Sequence, residues 1–203
     1  PENVVVEERL YAKVLDWILS GALDHQEVLP DGTVQITDYK VTSVFTVQRA
    51  LKPDWEAQLN MYAWLLAKND REPKSLTIVA ICRDWMSSRA GKNGYPDSMI
   101  VSIPVPLWPM PRTERYVSGR VAVHTAEEVV SCTNEERWAR GAYSVVGGRG
   151  KPRSFDTLEE ASKYINLRKS GSYSVVDGDA RYVRCENWCD VSEFCSQWQA
   201  EER

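Results

Sequence analysis

The first forty positions combine apolar runs and short alternations that favour β-strands. Residues 4–24 are rich in Val, Leu, Ile, Tyr and Trp and break near residues 15–16, which predicts one or two strands. Pro30-Asp31-Gly32 has the composition of a tight turn, because proline presets φ and glycine accepts a positive φ. The flanking runs, 22–29 and 33–41, are therefore predicted to form an antiparallel hairpin.

The period then changes from that of a strand to that of a helix. Residues 53–68 place their apolar side chains on one face, and Pro53 suits a first helical turn. The apolar run at 75–83 is typical of a strand buried on both faces, and 98–105 predicts another strand. A proline-rich segment follows, and residues 113–130 predict an amphipathic helix.

The pattern changes again after Cys132. Tyr-Ser-Val-Val occurs at both 143 and 173 and predicts two equivalent strands of a small ββα-like insert. A short helix is expected at 156–166, and a second hairpin is expected from 172–176 and 181–183 with its turn at 177–179. The predicted organisation is an α/β core at 1–131 and a small α+β subdomain at 132–203 packed on it.

Composition narrows the class of protein. The chain has 203 residues and no apolar run long enough for a membrane span, and its net charge is −4. This charge argues against binding nucleic acid by bulk electrostatics, although local grip on phosphates through metal ions and a few arginines is compatible with it. Because the chain begins at Pro1 without a methionine, we expect that a segment precedes it.

Two aspartates and a lysine lie at the ends of the early apolar runs. Period-two geometry places Asp38 and Lys40 on the same face of one strand, and Asp24 ends the neighbouring run. Hydrolysis of a phosphodiester needs a divalent cation held by hard oxygen ligands and a water poised for attack. The two carboxylates could supply the ligands together with the carbonyl oxygen of Tyr39, and the ammonium could position the water. The alternative is that these are ordinary polar residues at strand ends.

These residues resemble the motifs of the PD-(D/E)xK nuclease superfamily, and within it those of the RecB-like exonucleases. Ser-Gly-Ala-Leu-Asp at 20–24 and Asp-Tyr-Lys at 38–40 are similar to the two acidic motifs of the superfamily. Gln58 and Tyr62, on the predicted helix, resemble the Gln-x-x-x-Tyr motif of the RecB-like branch. The ordered set is more specific than any single motif.

The resemblance implies a restriction-endonuclease-like fold, a central mixed sheet flanked by helices. It implies that Asp24 and Asp38 bind Mg²⁺ or Mn²⁺, that Lys40 orients the attacking water, and that Gln58 and Tyr62 contact DNA and steady the site. The superfamily also has an upstream His or Glu on a helix, for which this sequence has no clear counterpart. Glu7 and Glu8 lie in strand-like sequence and stay unassigned.

Three of the five cysteines form a C-x₃-C-x₅-C cluster near the C-terminus, which favours a metal site over disulfides in a reducing compartment. The cluster consists of Cys185, Cys189 and Cys195, with Cys132 as the leading fourth ligand and His124 as a weaker one. Cys82 is expected to be a buried core residue. The cluster resembles the 4Fe-4S staples of some helicase–nucleases and CRISPR-adaptation nucleases, although those have two residues between the first pair. Zinc is the alternative to iron–sulfur.

The predicted function is a metal-dependent DNA exonuclease of a phage or mobile element, acting in recombination, repair or processing on DNA ends or single strands in the cytoplasm of a bacterial or phage-infected cell. A partner annealing protein or helicase is implied by the resemblance, and the oligomeric state is open. The basic residues of the loop at 149–153 and the group Arg112, Arg115 and Arg120 are candidates for DNA contacts, and solvated surface arginines are the alternative. The alternative is a catalytically inactive DNA-binding or assembly module that keeps the nuclease fold and the metal cluster.

Overall fold

The structure is a computed structural model, and it describes residues 3–127, 130–148, 150–168 and 171–201. The chain divides into two compact units, Pro1–Glu127 and Glu128–Arg203, called here the first and the second unit. No helix in the described ranges is long and apolar enough to cross a membrane.

The first unit is built on a five-stranded mixed sheet of order β1-β2-β3-β4-β5. The strands are β1 (Val4–Val14), β2 (Trp17–Val28), β3 (Val34–Thr42), β4 (Pro73–Cys82) and β5 (Ile100–Val105), and the helices are α1 (Val44–Val47), α2 (Pro53–Lys68) and α3 (Met110–His124). Strands β3 and β4 are parallel, and every other neighbouring pair is antiparallel. The expected α/β core of a mixed sheet flanked by helices is confirmed.

Helix α2 connects the two parallel strands and packs on the sheet. Its apolar face contributes Leu59, Trp64 and Leu66, each with no exposed surface, to the core that also contains Ile36 and Ile78 of the central strands. Trp64 keeps its indole N–H satisfied by donating to Glu114 of α3 at 2.5 Å. Of the apolar positions that predicted the helix, Leu59 and Leu66 are fully buried, and they pack α2 on the sheet whose strand β3 carries the acidic motif.

Helix α3 begins and ends earlier than the predicted span of 113–130. It starts at Met110 because Pro111 lies in its first turn, where proline loses no helical hydrogen bond. It ends at His124, and the hydroxyl of Thr125 then donates to the carbonyl oxygen of Val121 at 2.9 Å.

The second unit contains a three-stranded sheet of order β8-β7-β9 and a separate pair of short strands, β10-β6. Its elements are β6 (Ala139–Arg140), β7 (Tyr143–Gly147), β8 (Arg153–Phe155), α4 (Leu158–Asn166), β9 (Tyr173–Asp177), β10 (Arg181–Tyr182), α5 (Val183–Asn187) and α6 (Ser196–Gln199). The two Tyr-Ser-Val-Val runs are antiparallel neighbours in this sheet. Thr157 caps α4, its hydroxyl accepting from the backbone N–H of Glu160 at 3.2 Å.

The second hairpin expected at 172–183 is wrong. Strand β9 pairs with β7, and β10 pairs with β6, so the two segments are not partners of each other. The reason lies at Gly178, whose backbone N–H donates to the carbonyl oxygen of Ala142 at 2.9 Å. A Cβ atom at Gly178 would come within 2.1 Å of the carbonyl oxygen of Gly141, so this glycine serves close backbone packing rather than a hairpin turn.

Candidate active site

Asp38 and Lys40 lie on the face of β3 that packs against α2. The Lys40 Nζ is 2.9 Å from the Asp38 Oδ2, and the Asp38 side chain is only 2% exposed, whereas that of Lys40 is 24% exposed. The intervening Tyr39 is 48% exposed, in accordance with the alternation of a strand. The pair therefore consists of a buried acid and a base that reaches solvent.

Asp24 reaches the same place from β2. Its Oδ2 accepts a hydrogen bond from the backbone N–H of Tyr39 at 3.0 Å, between Asp38 and Lys40 in the sequence. This bond ties the end of the first acidic motif to the middle of the second. The structure thus brings Asp24, Asp38 and Lys40 together.

Gln58 of α2 connects the lysine, the acid and the tyrosine through its amide group. Its Oε1 accepts from the Lys40 Nζ at 2.8 Å, and its Nε2 donates to the Asp38 Oδ1 at 3.3 Å and to the Tyr62 hydroxyl at 2.8 Å. Because both the oxygen and the nitrogen of the amide are hydrogen-bonded, Gln58 fixes the positions of the Lys40 ammonium and the Asp38 carboxylate relative to α2.

The approach of β2 to α2 depends on Gly21. A Cβ atom at this position would meet the Leu65 Cδ1 at 2.9 Å and the Tyr62 Cε1 at 2.9 Å. A glycine is needed here because the ring of Tyr62 occupies the space that any side chain would take. The glycine of the first motif therefore places Tyr62, and through it Gln58.

The electrostatics of the site favour a bound cation. Burial raises the pKa of Asp38, the Lys40 ammonium lowers it, and the negative charge of Asp24 raises it, with a net increase. Two carboxylates whose charges repel each other, one buried and one partly exposed, are the hard oxygen donors that Mg²⁺ and Mn²⁺ take. Asp24 and Asp38 therefore fit a divalent cation.

A third acidic ligand is not in place among the described residues. No group of three or more His, Cys, Asp or Glu side chains in that part of the chain is arranged to hold a metal ion. Glu8 is engaged elsewhere, accepting from the Arg71 Nη2 at 2.8 Å and from the Gln26 Nε2 at 2.9 Å. Glu7 is exposed and has a φ of +51°.

The four cysteines expected to form the metal centre line one cavity of about 350 Å³ in the second unit, and all are free thiols. Partial desolvation and Glu136 raise the pKa of Cys132, Arg184 lowers it, and the nearby Cys195 and Cys185 thiols raise it further. The Gln197 side chain holds Cys132 at the C-terminal segment, its Oε1 accepting from the Cys132 N–H at 2.8 Å and its Nε2 donating to the Cys132 carbonyl at 3.0 Å.

The same cavity is lined by a buried cation that the sequence did not single out. Arg137 is 4% exposed, and its guanidinium carbon lies 3.2 Å from the ring centroid of Tyr182. Its Nη1 donates to the Glu201 Oε1 at 3.3 Å, whereas its Nε makes no hydrogen bond with the described residues. The four thiols thus line one cavity beside a buried cation, but among the described residues they are not arranged as a group that holds a metal ion.

The remaining candidate residues are dispersed. Cys82 is fully buried in a small apolar cluster, as expected of a core cysteine. His124 is exposed at the end of α3 and lies 3.5 Å from the Arg120 Nη2. Arg112 stacks on Trp108 at 3.9 Å, and Arg149 of the expected basic loop lies outside the described residues.

Comparison with known proteins identifies the class. The family model of the PD-(D/E)XK nuclease superfamily matches residues 2–196. The chain belongs to this superfamily, which confirms the superfamily that the motifs predicted and the restriction-endonuclease-like core. The chain is thus a member of a superfamily of nucleases, with the motif residues assembled at the junction of β2, β3 and α2.

A search of curated proteins found no significant match. Among solved structures, the crystal structure of SSO0001 aligns with a TM-score of 0.42 and 14% identity, covering 67% of this chain and 56% of that chain. This chain therefore spans just over half the length of that protein.

Proposed function

We propose that the first unit is a Mg²⁺- or Mn²⁺-dependent deoxyribonuclease that hydrolyses phosphodiester bonds at Asp24, Asp38 and Lys40. The observation that carries the proposal is that Asp38 pairs with the partly exposed Lys40 ammonium, which Gln58 holds in place, while Asp24 is bonded to the backbone between them. Membership of a nuclease superfamily supports the same reaction.

Each residue has a separate task in this reaction. Asp24 and Asp38 hold the divalent cation, with the carbonyl oxygen of Tyr39 as an additional ligand. When bound, the cation supplies Lewis-acid polarisation of the scissile phosphoryl group and stabilises the developing charge. Lys40 orients the attacking water through its ammonium hydrogens, and Gln58 keeps that ammonium at the site.

The substrate and setting that we propose follow from the resemblance to RecB-like enzymes. The protein acts as an exonuclease on DNA ends or single strands, in the recombination, repair or processing pathways of a phage or mobile element. It works in the cytoplasm beside an annealing protein or helicase. The order of the motifs Asp24, Asp38-x-Lys40 and Gln58-x-x-x-Tyr62 supports this branch.

The test is the degradation of linear single- and double-stranded DNA with Mg²⁺ or Mn²⁺, compared with EDTA. We expect Asp38→Ala and Lys40→Ala to lower the rate at least about a hundredfold, since each removes a group that acts on the reacting atoms. Both variants should keep the circular-dichroism spectrum of the wild type. Full activity in both variants, or activity that survives EDTA, would refute the proposal.

A catalytically inactive DNA-binding or assembly module is the second candidate. The observation that favours it is the presence of two, not three, acidic residues at the site among the described residues. This candidate predicts DNA binding without metal-dependent cleavage by the wild type. The same degradation assay therefore separates the two functions.

For the second unit we propose a structural metal centre held by Cys132, Cys185, Cys189 and Cys195, with a 4Fe-4S cluster as the first choice and zinc as the alternative. The support is that the four thiols line one cavity together with the buried Arg137 cation. A brown protein that absorbs blue light and contains iron favours the cluster, whereas a colourless protein with stoichiometric zinc favours zinc. A protein with neither metal would refute the centre.

A further inference from the structure

An exposed aromatic ring lies just beyond the catalytic strand. Strand β3 ends at Thr42, and the connection to α2 places Phe45 with 61% of its surface exposed. The Arg49 guanidinium carbon lies 3.9 Å from the centroid of this ring. One face of the ring is thus stacked on a cation, while most of the side chain is open to solvent.

The surroundings of this ring are strongly basic in an otherwise acidic protein. Residues 43–52 and 83–95 together carry five basic and one acidic residue, a net charge of +4, whereas the whole chain has −4. The five basic residues are exposed: Arg49, Lys52, Arg83, Arg89 and Lys92. Within the described ranges none of them forms an ion pair with a carboxylate.

Backbone and side-chain hydrogen bonds hold the two basic segments together. The backbone N–H of Val44 donates to the Asp84 Oδ1 at 2.7 Å, and the Gln48 Nε2 donates to the carbonyl oxygen of Gly94 at 3.0 Å. The carboxylate of Asp84, the one acidic residue of the two segments, therefore accepts a hydrogen bond from the backbone. These bonds keep the two segments beside each other. Their cations contact rings or carbonyl oxygens rather than carboxylates, as Arg89 does with the ring of Tyr95 and Lys92 with the carbonyl oxygen of Ser88.

The two segments, 43–52 and 83–95, lie at the edge of the sheet where ligands commonly bind in α/β proteins. The segments follow the carboxyl ends of the parallel strands β3 and β4, where open α/β sheets bind ligands. The backbone N–H of Arg83 donates to the carbonyl oxygen of Thr42 at 3.0 Å, which keeps the two strand ends adjacent. Strand β3 itself carries Asp38 and Lys40, so a chain bound here would lead to the hydrolytic site.

We propose that residues 43–52 and 83–95 form a binding site for an unpaired DNA strand, with one base stacked on Phe45 and its phosphates on Arg49 and the neighbouring cations. A stacked guanidinium keeps its N–H edges free for phosphate oxygens, and any base offers a π-face to the ring. Paired bases have both faces covered by their neighbours in a duplex. The site therefore selects single strands or frayed ends, which names the substrate of the proposed nuclease and rests on that function.

The primary test is the affinity of a fluorescein-labelled single-stranded oligodeoxynucleotide, measured by anisotropy in EDTA so that no strand is cut. We expect Phe45→Ala to weaken binding about tenfold and Phe45→Trp to retain it, since base–aromatic stacking has this strength. Trp17→Ala is the control for the loss of an exposed aromatic ring, because Trp17 is 56% exposed in the same unit and belongs to neither basic segment. The control should bind as the wild type does.

A second measurement separates stacking from a general loss of affinity. An abasic site scanned along the oligonucleotide should weaken binding by the wild type at one position and have no further effect on Phe45→Ala. Arg49→Gln should lower the slope of log K against log salt by about 0.7, the value for one phosphate contact with a single strand. Equal affinity of Phe45→Ala and the wild type, or an abasic effect that persists in Phe45→Ala, would overturn the proposal.

These results are independent of the cleavage assay. If Mg²⁺-dependent cleavage is found while Phe45→Ala binds normally, the strand site is wrong and the nuclease stands. If binding depends on Phe45 but no cleavage occurs with either cation, the strand site stands and the hydrolytic function is wrong. A duplex oligonucleotide that depends equally on Phe45 would refute the selection of unpaired strands.

Discussion

Asp38 is held in a state that opposes folding. It is buried on β3, close enough to Asp24 for that charge to raise its pKa, and Lys40 offsets this only in part. The site keeps this acid because a divalent cation would neutralise both carboxylates when it binds. In the proposed function, the destabilised carboxylate is the group that would bind the cation.

The first prediction concerns Asp38→Asn in EDTA. Because the pKa of Asp38 is raised in the folded state, its favourable contribution is present below the ordinary aspartate pKa and is lost as the pH rises through the raised value. At neutral pH we therefore expect the variant to unfold at a higher temperature than the wild type. Calorimetry at neutral and acidic pH measures it.

The control for this prediction is Asp31→Asn. Hydrogen bonds from the Thr33 hydroxyl and backbone N–H lower the pKa of Asp31, so its contribution is present at neutral pH and is lost as the pH falls. Its unfolding temperature should change in the opposite direction to that of Asp38→Asn. A decrease for Asp38→Asn at neutral pH would contradict the electrostatic account of the site.

The residues of the central site could be predicted from residue types and spacing, whereas the contacts that join them across the fold could not. Asp24, Asp38, Lys40, Gln58 and Tyr62 could be selected because a motif fixes their spacing. The hydrogen bond from the Tyr39 N–H to Asp24 depends on how β2 meets β3, and no local pattern encodes it. Phe45 gave no signal either, since a single aromatic in a connection has no period.

At the scale of elements, the site depends on how closely β2 approaches α2. The Tyr62 ring lies over Gly21, and Tyr62 accepts the hydrogen bond that holds one end of the Gln58 amide. The packing of Gly21 of β2 against Tyr62 of α2 therefore positions Gln58, and Gln58 in turn holds Lys40.

The second prediction is that Gly21→Ala lowers both stability and cleavage. The added methyl group would have to displace Tyr62 and Leu65, which costs about 1–3 kcal/mol in a well-packed region. Chemical denaturation and the DNA degradation assay measure the two effects. Displacement of Tyr62 should also loosen Gln58 and reduce the cleavage rate.

Gly119→Ala is the matched control on α3. Nothing lies within 4 Å of a Cβ atom built there, and alanine favours a helix over glycine by up to about 1 kcal/mol. It should therefore raise stability and leave cleavage unchanged. If Gly21→Ala behaved like Gly119→Ala, the close approach of β2 to α2 would not matter for the site.

Periodicity also explains which elements could be predicted. The boundaries of α2 and the antiparallel pairing of β2 with β3 follow from local patterns and were correct, whereas β2 begins earlier than predicted, at Trp17. The predicted pairing of β9 with the segment at 181–183 was wrong. The glycine-containing turn at 177–179 is compatible with that hairpin and equally with the observed pairing of β9 with β7. The close backbone approach of Gly178 to Gly141 favours the observed pairing, and these two residues are too far apart in sequence for a local pattern to reveal it.

At the scale of the whole molecule, charge is distributed unevenly. The net charge of −4 combines +4 on residues 43–52 and 83–95 with −8 on the rest. A chain of this kind repels the phosphate backbone over most of its surface and attracts it near the end of β3. Net charge alone therefore argues against bulk binding, but it gives no indication of where the proposed strand site lies.

The third prediction concerns the cysteine cavity of the second unit. Replacing Cys185 with serine should remove most of the bound iron or zinc, because three thiolates hold a metal far less well than four. Cys82→Ala is the control, since Cys82 is buried in the core of the first unit and lines no such cavity. Elemental analysis of both purified variants measures their iron and zinc content, which should fall in Cys185→Ser and stay unchanged in Cys82→Ala. Equal metal content in the two variants would contradict a centre at this cavity.

The most direct test of the central claim is a crystal structure of the protein soaked in Mn²⁺, with data collected at the manganese absorption edge. The account predicts an anomalous peak between the carboxylates of Asp24 and Asp38 and no such peak in Asp38→Ala crystals. A peak elsewhere, or an unoccupied carboxylate pair with Lys40 still bound to Asp38, would contradict a metal-dependent hydrolytic site.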